Sequence, residues 1–107
     1  MHITYLDTSY DDIKHFEYVM GSTSEIKKVT SFSDWRNLLK FLEENTVDFV
    51  YCEIEMKNKS GLELIDKIRV ASPDTHTVFV AQTPEYAIEA FEKGAAGVRC
   101  VCYADHP

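Results

Sequence analysis

Little in this chain points to a membrane or to nucleic acid. No run of about 18 apolar residues occurs, so nothing reads as a membrane span. The N-terminus, MHITYLDTSYDD, soon turns acidic and lacks the pattern of a secretory leader. Cations are scarce: 11 Lys and Arg stand against 18 Asp and Glu, a net charge of −7 spread along the chain. Phosphate backbones need a basic face, which argues against direct nucleic-acid binding. The three cysteines are an odd number in no disulfide framework, so the expected setting is a reducing cytoplasm. No Gly-rich phosphate loop follows the first apolar run, where Asp7-Thr8-Ser9-Tyr10 stands instead. No Ser-His-Asp or Cys-His arrangement can be read. His2, His15 and His76 are scattered, as solvent-facing or capping residues would be. Repeats, low-complexity tracts and linkers are also missing. The expectation is a single non-enzymatic domain over residues 1–107, standing alone or as the N-terminal part of something longer.

What is present is a regular alternation. Ile3 to Leu6 is a short apolar strand ending at Asp7. Thr8-Ser9-Tyr10-Asp11-Asp12 is a helix-start signal, and Ile13, Phe16 and Met20 share a face of the helix after it. Glu25 to Phe32 suits an edge strand carrying Lys27 and Lys28. Ser33 is a fitting N-cap for a helix that stacks Trp35, Leu38, Leu39 and Leu42 as a core stripe. Phe49-Val50-Tyr51-Cys52 is a continuous apolar run, the mark of a strand buried on both faces. It ends in Glu53 and Glu55. A polar turn, Lys57 to Gly61, leads to a helix with Leu62, Ile65 and Ile68 on one stripe, closed by Ser72-Pro73-Asp74. Thr77 to Ala81 is another apolar strand. Thr83-Pro84-Glu85 starts a fourth helix whose apolar side is Tyr86, Ala87, Ala90 and Phe91. Gly94 and Gly97 punctuate the exit to a last strand, Val98 to Tyr103.

Four strand–helix units and a fifth strand imply an α/β fold with a parallel sheet and helices on both faces. Ligand sites in such sheets lie at the carboxyl ends of the strands. Glu53 occupies such an end and is the first candidate for chemistry.

The central stretch resembles a response-regulator receiver domain of the LytTR-associated subfamily. There the third strand typically ends Asp-Ile-Glu-Met, followed by a short loop and Gly-Leu-Glu-Leu. Here the text is Glu53-Ile54-Glu55-Met56, then Gly61-Leu62-Glu63-Leu64. The resemblance covers about residues 3–102 and implies a flavodoxin-like strand order 2-1-3-4-5. It also implies a fifth helix. The sequence stops at Ala104-Asp105-His106-Pro107, where that helix would begin, so it is expected to be absent or truncated, leaving a bare sheet face.

The resemblance implies a five-part phosphotransfer site, and this chain departs from it in four parts. Strand one offers Asp7 and then Thr8 where two acids would help hold Mg²⁺. Glu53 replaces the phosphoacceptor Asp. Ala81 stands where a Ser or Thr would bind the phosphoryl group. Val101-Cys102 stands where Lys-Pro would be, with Arg99 the nearby cation. Phosphoryl transfer is mostly positioning and charge neutralisation. The extra methylene of Glu53 moves its carboxylate by roughly 1.5 Å, and a misplacement of about 1 Å costs roughly a hundredfold. With one acid fewer, Mg²⁺ would be held weakly at most.

The expected function is therefore a degenerate receiver: a phosphorylation-independent module for protein interaction or dimerisation in signalling or transcriptional control. A DNA-binding output domain would fit the resemblance. Partners would meet the face of helix four and strand five, near Tyr86, Glu89, Glu92, Lys93, Arg99, Val101 and Tyr103. Glu53 itself could mimic phospho-aspartate, or be a solvated acid near Lys57 or Lys59. Two alternatives remain: a working receiver modified at Glu53 or Asp7, and a flavodoxin-like small-ligand or metal binder. The latter would use Cys100, Cys102 and His106, a poor zinc set beside the commoner reading of core cysteines.

Overall fold

The computed structural model describes residues 1–57 and 59–100, with Cys100 described by its backbone alone. Five parallel strands make one sheet: β1 (His2–Leu6), β2 (Lys28–Phe32), β3 (Phe49–Glu53), β4 (His76–Ala81) and β5 (Gly97–Cys100). Their order across the sheet is β2-β1-β3-β4-β5, the flavodoxin-like order, with Ile3 beside Phe49, Cys52 beside Phe79 and Ala81 beside Cys100. The helices are α1 (Tyr10–Gly21), α2 (Trp35–Glu44), α3 (Ile65–Ala71) and α4 (Ala87–Glu92). Short 3₁₀ turns, Gly61–Leu64 and Pro84–Tyr86, lead into α3 and α4. After β3 the chain makes a small antiparallel ribbon, pairing Glu55 with Ser60 and Met56 with Lys59. The expected fifth helix, like Val101, Cys102, Tyr103 and His106, lies outside the described residues.

Strand alternation splits the core in two. Leu6, Val50, Cys52, Phe79 and Ala81 face α2, α3 and α4, where Leu38, Leu42, Leu64, Ile65, Ile68 and Ala90 meet them. Ile3, Tyr5 and Val80 face α1 and pack on Phe16 and Met20, with Tyr5 stacked on Phe16 at 4.1 Å. No helix among the described residues is long and apolar enough to cross a membrane.

Several local readings need correction. The second strand starts at Lys28 rather than Glu25. Asp34, not Ser33, caps α2, accepting from the Arg36 N–H at 2.9 Å. Thr83 makes no capping bond; its hydroxyl donates to Glu85, and Pro84 opens the turn. Trp35 and Leu39 are only partly buried beside fully buried Leu38 and Leu42. Phe91 is 55 % exposed, because the short α4 turns only Ala90 fully into the core.

The N-cap of α1 is Ser9, whose Oγ accepts from the Asp12 N–H at 3.2 Å. Ser9→Ala is expected to cost about 1 kcal/mol. Urea unfolding measures it; an unchanged midpoint would show that α1 holds without its cap.

Candidate functional site

Three carboxylates converge at the carboxyl edge of the sheet. β1 delivers Asp7, β3 delivers Glu53, and the first turn of α1 delivers Asp12. One oxygen from each lies within 4.8 Å of the others. That spacing suits a single hard cation with oxygen ligands.

Each acid is held in place. Asp7 is 2 % exposed; it accepts from the Tyr5 hydroxyl at 2.7 Å and from the Ser9 N–H at 3.0 Å. Burial pushes its pKa up, and these two bonds work against that. Glu53 is also 2 % exposed, so it is not the solvated acid that one reading of the sequence allowed. One of its oxygens accepts from the Gln82 amide at 3.0 Å and the other from the Glu55 N–H at 3.2 Å. Burial, with the neighbouring Asp7 charge behind it, raises its pKa to about 7. The same burial raises the Tyr5 hydroxyl, keeping it a donor.

Of the lysines expected near Glu53, Lys59 turns elsewhere and pairs with Glu63 at 3.5 Å, while the Lys57 backbone N–H donates to the Thr8 hydroxyl at 3.3 Å and, among the described residues, no ion pair joins Lys57 to Glu53. Arg99 lines the pocket beside Glu53 with Tyr5, Asp12, Phe16 and Gln82; among the described residues no ion pair joins it to Glu53. Ala81 is fully buried and offers no hydroxyl.

A receiver-domain model matches residues 7–98, which takes in every strand end just described. The chain belongs to the response regulator receiver domain family. Protein MrkE of Klebsiella pneumoniae is 30 % identical over 79 residues, covering 74 % of this chain and 29 % of that protein. The transcriptional regulatory protein YpdB of Escherichia coli (strain K12) is 29 % identical, over 74 % of this chain and 32 % of YpdB. The sensory transduction protein LytR of Staphylococcus epidermidis is 25 % identical over 74 % of this chain and 31 % of its own length, in keeping with the LytTR-associated motif. The receiver thus spans about a third of the curated relatives it matches. Among solved structures, the response regulatory domain of MrkE superposes with a TM-score of 0.81 at 26 % identity, over 96 % of this chain and 84 % of that one. The response regulator domain of Thermotoga maritima CheB shares the fold, with a TM-score of 0.81 at 22 % identity, over 94 % and 77 %.

Two members of this receiver's site escaped the sequence reading. Asp12 read as a helix-start acid. Extending the Phe16 and Met20 stripe back by one step of four reaches it, and that spacing places it inward. Gln82 carried no such signal; it follows Ala81 and reaches Glu53 only because β3 and β4 are neighbours. On the expected partner face, the Tyr86 hydroxyl donates to Glu55 at 3.0 Å, while Glu89, Lys93 and Arg99 are exposed. Ile88, which the sequence reading passed over, is 74 % exposed on the same helix.

Proposed function

We propose that this receiver works without phosphoryl transfer, as a protein-interaction module of a cytoplasmic two-component regulator. The carrying observation is the state of Glu53: its carboxylate is withdrawn from solvent and both oxygens are committed, to Gln82 and to the Glu55 N–H. An attacking carboxylate must be free and within reach of the donor phosphorus, and a misplacement of about 1 Å costs roughly a hundredfold. Ala81 then removes the hydroxyl that would read a phosphoryl group. Gln82 supplies a standing β4-to-β3 hydrogen bond in its stead. The partner face is α4 and β5, where Ile88 and Phe91 are exposed alongside Glu89 and Lys93. YpdB's name is that of a transcriptional regulator, and transcriptional control through a separate output domain is the role we assign.

A second reading rests on Asp12. With Asp7 and Glu53 it completes a three-carboxylate set, so the missing acid at Thr8 is made good from α1. These three residues would hold a divalent cation, which supplies charge neutralisation in phosphoryl transfer. On that reading the receiver would still accept a phosphoryl group.

Acetyl phosphate with Mg²⁺, followed by intact mass, separates the two. The expected result is no adduct on the native receiver and a measurable adduct on the Glu53→Asp, Ala81→Thr variant. A stoichiometric adduct on the native chain would reject the first reading and support the second.

A further inference from the structure

The chain is strongly acidic, yet four of its cations gather on one small area. Arg36, Lys59 and Lys67 stand over the Trp35 ring at 5.7, 5.1 and 5.8 Å from its centroid. Lys57 lines the adjoining pocket with Thr8 and Trp35. These side chains come from α2, the ribbon after β3, and α3, so only the tertiary fold assembles them. Asp34 pairs with Arg36 and Glu63 pairs with Lys59, which leaves Lys57 and Lys67 without an ion pair among the described residues. Like charges repel at these separations, and the ring face of Trp35 offsets that cost. The result is a preset cationic cluster with an aromatic floor.

We propose that the Trp35 cluster docks an acidic segment of a partner protein. Three considerations select that occupant. Nucleic acid carries a charge about every 1.7 Å and would run past the cluster onto acidic surface, since α2 itself ends in Glu43 and Glu44. A nucleotide base would have to displace a cation already standing over the ring. A short acidic peptide takes the cations where they are, and charges arranged this way steer encounter more than they add affinity. The Lys57 N–H bond to Thr8 ties the cluster to the end of β1, so a docked segment lies beside the carboxylate site. This docking does not depend on whether Glu53 accepts a phosphoryl group.

Trp35 is the single tryptophan, so its fluorescence reports the cluster directly. Titration with a short oligoglutamate peptide is expected to give a saturable change that weakens with added salt. The Lys59→Ala, Lys67→Ala variant, with an unchanged far-UV spectrum, should bind about tenfold more weakly. Any of four outcomes would overturn the proposal. These are no saturable change, equal binding by the variant, ATP or an oligonucleotide binding as tightly as oligoglutamate, and a signal that tracks protein concentration without peptide.

Discussion

Gly61→Ala is expected to destabilise the receiver by about 3 kcal/mol or more, at the upper end of what overpacking costs. A Cβ on Gly61 would lie 2.2 Å from the Glu53 carbonyl oxygen and 3.0 Å from the Cys52 sulfur. The first obstacle is backbone, so no rotamer change relieves it. Nor can the residue slide away, because its N–H donates to the Ile54 carbonyl at 2.8 Å. Close approach, not a left-handed turn, makes glycine necessary here; among the described residues that conformation belongs to Gly94, at φ 93°. A domain of this size has only about 5–15 kcal/mol in total, so the loss is a large share. Urea unfolding at fixed pH is the measurement. A loss below about 1 kcal/mol would show that the loop after β3 reseats freely, contrary to the packing described.

Glu53→Gln is expected to stabilise the receiver at about pH 8 by about 1–3 kcal/mol and to remove most of its stability change between about pH 5 and pH 8. In the folded chain the Glu53 carboxyl titrates at about 7, against 4.5 for an ordinary glutamate. Between those values the folded state binds more protons than the unfolded state. Stability is therefore highest below the lower value, falls as pH rises, and reaches its full loss above about 7. The shift has a physical source: Glu53 is buried, and the Asp7 and Asp12 carboxylates standing nearby add to that. Glutamine keeps the shape without the charge. Its oxygen can accept from the Glu55 N–H, and its NH₂ can donate to the Gln82 amide oxygen once that amide turns over. Asp7 is raised by burial as well, so the variant keeps a smaller slope of the same sign. Thermal or urea unfolding across this range is the test. A native chain that grows more stable as pH rises would reject a buried, proton-holding Glu53.

The fold was largely legible from local pattern. The run Phe49 to Cys52 announced a strand covered on both faces; Val50 and Cys52 are fully buried on one face, while Phe49 and Tyr51 on the other are only half-buried. The Leu38 and Leu42 spacing placed α2 against the core, where both are buried. Errors fell where a local signal had two meanings. Ser33 and Asp34 are both good caps, and only the Arg36 N–H decides between them. Phe91 carries an apolar side chain in an amphipathic helix, yet a helix as short as Ala87–Glu92 has little inward face to offer.

The candidate site was half legible. The order of letters alone singled out Glu53, Thr8 and Ala81 as differing from the pattern that the resemblance implies. It also supplied the alternation that makes a five-stranded parallel sheet, because strand and helix periods are properties of the local chain. Only the tertiary structure decided that Glu53 is buried, that Asp12 lies beside Asp7 and Glu53, and that Gln82 bonds Glu53. It also set Trp35, half-buried against the core, beneath a cluster of cations. The state of an ionisable or aromatic side chain depends on solvent exclusion and on groups distant in sequence, and neither is encoded in local periodicity.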